Sequence, residues 1–133
     1  MRRGELPERA AVREMYEETG LRVSGLRFNG ILNFYLGERR ELDQTVFLFS
    51  CNKSAGRVRP NDEGELRWFP VTAIPYDEMW QDDREWLPLV LDGGSFVGDF
   101  CFSDGYKEFL SHQIRVTVFR ASEGNRKDRP RGR

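Results

Sequence analysis

The spacing of apolar residues changes along the chain and marks out its predicted helices and strands. Pro7 suits the first turn of a helix and Gly20 suits its end, so we predict a helix over residues 6–19. A second helix is predicted over residues 83–91, before the run Asp92-Gly93-Gly94. The residues of the first helix that we expect to face a sheet are Ala10, Ala11 and Met15.

The other apolar segments are rich in aromatic and branched residues, which is typical of strands. Segments 26–36 and 44–50 flank the charged sequence GERRELD, so we predict that they form an antiparallel hairpin. Further strands are predicted over residues 64–69, 96–102 and 113–120, and a loop is predicted over residues 51–61.

This order of elements indicates the α+β (mixed α/β) fold class in one domain, since 133 residues suffice for a single core. We expect the domain to span residues 1–119. Residues 120–133 hold six basic and two acidic residues, so this tail carries a charge of +4 and is expected to be disordered. It has no aromatic residues interleaved for base stacking, so we expect a solubilising extension and no nucleic acid partner.

The apolar runs and the cysteines argue against other classes of protein. The chain has no apolar run as long as about 18 residues and no apolar core of a signal peptide. We therefore expect a soluble, cytoplasmic protein without a membrane partner. Cys51 and Cys101 lack metal-binding spacing, and we expect both to be buried free thiols.

The first predicted helix concentrates acidic side chains on one face. Glu14, Glu17 and Glu18 stand at i, i+3 and i+4, so their side chains leave the same face within about one turn. Such a face favours a hard divalent cation, which prefers carboxylate oxygens. Arg13 can reach Glu17 at i+4 and orient its carboxylate. The alternative is an ordinary solvated helix face.

The longer pattern around these glutamates resembles the Nudix box, G-x5-E-x7-R-E-U-x-E-E-x-G-U, where U is aliphatic. Every specified position from Glu5 to Leu21 matches, and the opening glycine would lie before Met1. We therefore expect an upstream start or a fragment. The resemblance implies a mixed sheet between helices, here without the family's first two strands, and poor folding of the chain alone.

A second stretch, residues 67–102, resembles the Nudix branch of animal MutT homologues, diphosphatases for oxidised purine nucleoside triphosphates such as 8-oxo-dGTP. The most specific element is MW-x-DD-x-x-W, which stands here as Met79-Trp80, Asp82-Asp83 and Trp86. The resemblance implies Mg²⁺-dependent hydrolysis of oxidised purine nucleotides, including the 2-hydroxy-dATP type, to monophosphate and pyrophosphate, with Mn²⁺ as a possible substitute. It also implies a role in nucleotide-pool sanitisation and, for a complete chain, a monomer.

The resemblance implies a role for each candidate site residue. Glu14, Glu17 and Glu18 would be metal ligands or the proton acceptor, with Arg13 as the residue that orients them. Glu63 would be one further metal ligand; the alternative is a solvated loop acid. Phe34, Trp80, Asp82 and Asp83 would bind the base.

The adjacent aspartates carry a physical prediction of their own. Two neighbouring carboxyl groups that face a base cannot both ionise cheaply, so the pKa of at least one should be raised. One group would then accept hydrogen bonds from the base while the other donates. The alternatives are that Asp82 or Asp83 caps the following helix and that Trp80 packs in the core. The alternative function is a catalytically impaired Nudix fragment that acts as a nucleotide-binding or interaction module.

Overall fold

A computed structural model describes residues 2–59 and 66–116 of the chain. The described residues form two α-helices, four strands and three short 3₁₀ turns. In chain order the helices and strands are α1 (Pro7–Thr19), β1 (Arg22–Leu36), β2 (Glu41–Ala55), α2 (Asp83–Leu91), β3 (Phe96–Phe102) and β4 (Phe109–Val116). No helix in the described ranges is both long and apolar enough to cross a membrane.

Helix α1 begins and ends where its sequence predicts. Pro7 occupies the first turn, where its missing N–H costs nothing. Gly20 ends the helix in the left-handed conformation, with φ of 86°, and its N–H donates to the carbonyl oxygen of Tyr16. A side chain at Gly20 would lie 2.9 Å from the carbonyl oxygen of Arg57, so glycine is required both by the backbone and by this close approach.

The four strands form one mixed sheet in the order β2-β1-β3-β4. Strands β1 and β2 are an antiparallel hairpin, β1 and β3 are parallel, and β3 and β4 are antiparallel. Helix α1 contacts β1 and β2. The predicted α+β fold class is therefore confirmed.

The core lies between α2 and the face of the sheet formed by alternate residues of β1 and β3. Its buried members are Leu32, Val90, Phe96, Phe100 and Phe102. Just after the C-terminal end of α2, the side-chain amide of Asn29 donates to the carbonyl oxygen of Gly94 at 3.2 Å. The side chain of Arg27 donates to the carbonyl oxygen of Gly93. Strand β1 thus holds the end of α2 as well as its apolar face.

The predicted bounds of helices and strands are confirmed where a local sequence pattern sets them, and they are wrong where pairing with another strand sets them. Helix α2 and strand β3 have the predicted bounds. Residues 51–55 were predicted to be a loop but continue β2, because they pair with the first part of β1. The strand predicted over 64–69 is wrong for residues 66–69, whose exposed aromatic side chains have no neighbouring strand in the described residues.

Three further expectations need correction. Strand β4 begins at Phe109, earlier than predicted, and residues 117–133, with the predicted basic tail, lie outside the described residues. Met15 is exposed although it was expected to face the sheet, and Ala10 is the buried residue of α1. Cys101 is buried as expected, whereas Cys51 is exposed, because it begins the last part of β2, where all of residues 51–55 are exposed.

Candidate active site

Helix α1 carries an ion-pair network at the predicted glutamate face. Arg13 forms two hydrogen bonds with the carboxylate of Glu5, from Nε at 2.9 Å and from Nη2 at 2.8 Å. The Glu5 side chain is only 16% exposed. These bonds, together with the backbone N–H of Arg2, lower the pKa of Glu5 to about 2, so this carboxylate stays ionised.

Arg13 also contacts two of the predicted metal ligands. Its Nη1 donates to Oε1 of Glu17 at 3.0 Å, which confirms the predicted i+4 contact. Its Nη2 lies 3.5 Å from Oε2 of Glu14. Glu5 therefore fixes the Arg13 guanidinium through Nε and Nη2, while its Nη1 holds the carboxylate of Glu17 one turn further along the helix.

The donor chemistry of this face fits a hard divalent cation. Carboxylate oxygens are the ligands that Mg²⁺ prefers, and the side chains of Glu14 and Glu17 are 44% and 49% exposed, so an ion can reach them from solvent. Within residues 2–59 and 66–116, however, no three His, Cys, Asp or Glu side chains are gathered closely enough to hold a metal ion. Glu63 lies outside the described residues. The ligand roles of the glutamates stay predictions.

The C-terminal end of α1 is held by an arginine, Arg59, whose role was not predicted from the sequence. The Nη2 of Arg59 donates to the carbonyl oxygen of Tyr16 at 3.1 Å, and its backbone N–H donates to that of Thr19 at 2.9 Å. The guanidinium groups of Arg22 and Arg59 both lie over the Tyr16 ring, at 4.4 and 5.1 Å from its centroid. These contacts fix the turn that carries the glutamates.

All four predicted base-binding residues line one cavity of about 320 Å³. The cavity lies over the apolar face of the β1–β2 hairpin, next to the start of α2. Its lining residues are Leu32, Phe34, Gln44, Val46, Leu48, Trp80, Asp82, Asp83, Trp86, Phe102 and Tyr106. The same hairpin contacts α1, so it carries both groups of predicted site residues.

Asp82 is held inside the cavity wall by a tryptophan. Its side chain is 4% exposed and its Oδ2 accepts a hydrogen bond from Nε1 of Trp86 at 2.8 Å. Asp82 precedes α2, yet its side chain makes no capping hydrogen bond to the helix. The alternative that Asp82 serves as a helix cap is therefore wrong.

Asp83 has the perturbed titration that the adjacent pair predicts. Burial, and after it the charge of the neighbouring Asp82, raise the pKa of Asp83 to about 6. The prediction that at least one pKa of the pair is raised is confirmed. A carboxyl group with this pKa can be either protonated or ionised close to neutral pH.

Trp80 lies on the surface of the cavity rather than in the core. Its side chain is 61% exposed, so the alternative of a core tryptophan is wrong. Its ring is nearly perpendicular to those of Phe102 and Tyr106, at interplanar angles of 88° and 74°, so neither neighbour stacks on the indole. Phe34 lines the same cavity and stacks on Phe100, with 5.8 Å between the ring centroids.

Tyr106 forms a part of the cavity wall that was not predicted from the sequence. Tyr106 contributes its ring, and its hydroxyl donates to Asp43 at 2.6 Å and accepts from Gln44 at 3.2 Å. The one local signal was Gly105, which precedes Tyr106 in a tight turn. A turn glycine marks a change of direction and does not tell which cavity the next side chain lines.

Comparison with known proteins agrees with these observations. The NUDIX domain profile matches residues 1–90. The chain is 37% identical over 112 residues to an oxidized purine nucleoside triphosphate hydrolase of Danio rerio, a match that covers 84% of this chain and 70% of that protein. It is 35% identical over 113 residues to the protein of the same name from Mus musculus, with the same coverage of 84% and 70%.

A solved structure supports the fold. The crystal structure of the mutator MutT protein from Bacillus halodurans superposes with a TM-score of 0.72 at 24% identity, over 86% of this chain and 76% of that one. The match to the NUDIX domain over residues 1–90 and the two relatives at 37% and 35% identity show that this chain belongs to the Nudix hydrolase family.

Proposed function

We propose that this chain hydrolyses oxidised purine nucleoside triphosphates, of the 8-oxo-dGTP and 2-hydroxy-dATP type, to the monophosphate and pyrophosphate, with Mg²⁺ as cofactor. The observation that carries the proposal is the cavity in which Trp80, Asp82 and Asp83 meet Phe34. The names of the two relatives that share more than a third of their aligned residues support the same substrate class.

The cavity has the chemistry that an oxidised purine requires. A flat base can stack on the exposed indole of Trp80, and such stacking contributes roughly 1 to 3 kcal/mol per base. Asp82 keeps one oxygen bonded to Trp86, while Asp83 with its raised pKa can carry a proton. One carboxyl group can then accept from a ring N–H while the other donates to an oxygen or a bare nitrogen of the base.

An exchange of the proton within the pair would accommodate a different base. An oxidised guanine and an oxidised adenine present different patterns of donors and acceptors. Because Asp83 titrates near neutral pH, the pair can offer either pattern at little cost. The cavity therefore suits a group of oxidised purines more than a single one.

The reaction itself needs little beyond charge neutralisation and positioning. A water oxygen attacks phosphorus, the phosphoanhydride bond between the α- and β-phosphates breaks, and a carboxylate of the glutamate face accepts the proton of the water. A bound Mg²⁺, held by Glu14, Glu17 and Glu18, would neutralise phosphate charge. Arg13, fixed by Glu5, keeps the carboxylate of Glu17 oriented during this step. The biological role that we propose is sanitisation of the cytoplasmic nucleotide pool.

The test compares kcat/KM for 8-oxo-dGTP, 2-hydroxy-dATP and dGTP in the wild-type chain and in Asp82→Asn and Asp83→Asn. An amide does not ionise, so each variant fixes one proton pattern, and we expect the preference among the three nucleotides to change. The expected loss is on the order of 1 to 3 kcal/mol for each broken contact. Asp92→Asn, an exposed aspartate at the other end of α2, is the matched control and should leave the ranking unchanged.

Equal losses on all three substrates would contradict the base-reading role and leave a Nudix hydrolase of another specificity. Tight nucleotide binding without turnover, in the presence of Mg²⁺ or Mn²⁺, would instead support the alternative of a catalytically impaired binding module. Full turnover in excess EDTA would refute the metal requirement. Release of orthophosphate as the first product would refute the proposed bond cleavage.

A further inference from the structure

Tyr106 is held in an unusual backbone conformation at the wall of the cavity. Its φ of 60° lies in the left-handed region, directly after Gly105 with φ of 72°. A bulky non-glycine residue rarely adopts this conformation, and such strain persists only where surrounding contacts impose it. Here the N–H of Tyr106 donates to the carbonyl oxygen of Ser103 at 3.0 Å, which closes the turn.

The turn that carries Tyr106 is fixed to the β1–β2 hairpin. The N–H of Gly37, in the hairpin turn, donates to the carbonyl oxygen of Phe102 at 3.0 Å. A side chain at Gly37 would lie 2.8 Å from the carboxylate of Asp104, so the two turns are in close contact. The backbone of Tyr106 therefore has little freedom relative to the hairpin.

The phenol of Tyr106 is attached to the same hairpin a second time. Its hydroxyl donates to Oδ2 of Asp43 at 2.6 Å and accepts from Nε2 of Gln44 at 3.2 Å. Partial burial raises the pKa of Tyr106, and the Asp43 hydrogen bond raises it further, so the phenol keeps the proton that it donates. Fixed at both ends, the ring lies 6.0 Å from Trp80 between centroids.

We propose that Tyr106 is a positioning residue that fixes the plane of Trp80 and so sets the affinity of the cavity for a purine base. Trp80 needs such support, because its side chain is more than half exposed and, within residues 2–59 and 66–116, the rings that contact it are those of Phe102 and Tyr106. A perpendicular contact orients the indole without occupying it by stacking. The inference rests on the proposed function only in taking Trp80 as the surface on which the base stacks.

The first experiment observes Trp80 without any nucleotide. The chain contains three tryptophans, so labelling with 5-fluorotryptophan gives three ¹⁹F resonances, which single Trp→Phe variants assign. In Tyr106→Phe the ring remains but the hydroxyl that bonds to Asp43 and Gln44 is lost. We expect the Trp80 resonance to shift and broaden while those of Trp68 and Trp86 stay in place.

The second experiment separates binding from chemistry. For Tyr106→Phe, which loses the hydrogen bonds of the hydroxyl to Asp43 and Gln44, we expect KM for 8-oxo-dGTP to rise about threefold to tenfold, with kcat within about twofold. Asp43→Ala should give the same change, and the double variant should be no worse than either single variant. Asp43→Asn keeps an acceptor oxygen and should restore most of the affinity.

Tyr35→Phe is the matched control, since Tyr35 lies on β1 next to Phe34 and lines a different depression of the surface. It should change neither the Trp80 resonance nor KM. The proposal is wrong if Tyr106→Phe leaves both at wild-type values, or if kcat falls while KM is constant. If the wild-type chain hydrolyses no purine nucleotide, the proposed function fails, whereas the ¹⁹F comparison still decides whether Tyr106 positions Trp80.

Discussion

The glutamate face of α1 and the cavity beside α2 are built in opposite ways. The side chains of α1 that would hold a cation come from one helical turn and are open to solvent. The cavity draws its walls from both strands of the hairpin, from β3, from α2 and from two connecting segments, and it buries Asp82 almost completely. One site depends on spacing along the chain, and the other depends on how distant segments pack.

Under the proposed function, we expect this difference to separate the residues for catalysis from those for substrate selectivity. An exposed acidic face can lose a charge with little effect on the fold, since exposed ion pairs contribute little to stability. A buried carboxyl group cannot change without a cost, because its hydrogen-bond partner is buried with it. We therefore expect substitutions on α1 to reduce turnover at nearly constant stability, and substitutions in the cavity to change stability and substrate preference together.

The largest expected effect is on turnover. Glu17→Gln and Glu18→Gln should each reduce kcat at least ~100-fold, because they would remove charge where we propose that a cation binds, while the melting temperature stays close to that of the wild type. Glu8→Gln, in the first turn of the same helix, is the control and should keep normal turnover. Near-normal rates for both main variants would show that the glutamate face is not the metal site.

A smaller effect, on stability, is expected at Asp82. Asp82→Ala leaves the Nε1–H of Trp86 without its acceptor in a partly buried site, so the free energy of unfolding should fall by about 1 to 3 kcal/mol. Urea unfolding monitored by circular dichroism measures this change. Asp77→Ala removes an exposed aspartate that pairs with Arg84 and should cost far less. Equal losses in the two variants would contradict the buried role of Asp82.

The smallest expected effect is a pH-dependent gain in thermal stability when Asp83 is replaced by asparagine. Its pKa in the folded chain, about 6, is higher than in the unfolded chain, so the folded state binds this proton more tightly. The resulting contribution to stability is present below about pH 4, the ordinary range of an aspartate, and is lost as the pH rises through 6. Asp83→Asn has no proton to lose, so it should melt above the wild type at pH 7.5.

The same variant should lose its advantage at pH 4, where Asp83 of the wild type is protonated in the folded chain. Thermal unfolding at the two pH values measures the difference. Asp92→Asn serves as the exposed control and should show the same offset from the wild type at both values. An Asp83→Asn variant that melts below the wild type at pH 7.5 would contradict the raised pKa.

The bounds of α1, α2 and β3 could be predicted because short-range rules set them. A proline in the first turn, a glycine after the last turn and an alternating run of phenylalanines act over a few residues. The strand at residues 51–55 could not be predicted, because its sequence is polar and it is a strand only through pairing with the first part of β1. The segment 66–69 shows the reverse, with strand-like residues that lack a partner among the described residues.

The sequence by itself determined the glutamate face, since residues at i, i+3 and i+4 share a side of any helix, and the contact of Arg13 with Glu17 follows from the same geometry. The tertiary structure decided the cavity. Strand β1 pairs in parallel with β3, which places Phe34 beside Phe100, and the phenol of Tyr106 bonds to Asp43, 63 positions away. Contacts at such separations depend on the packing of the whole chain, and no local pattern encodes which segments will meet.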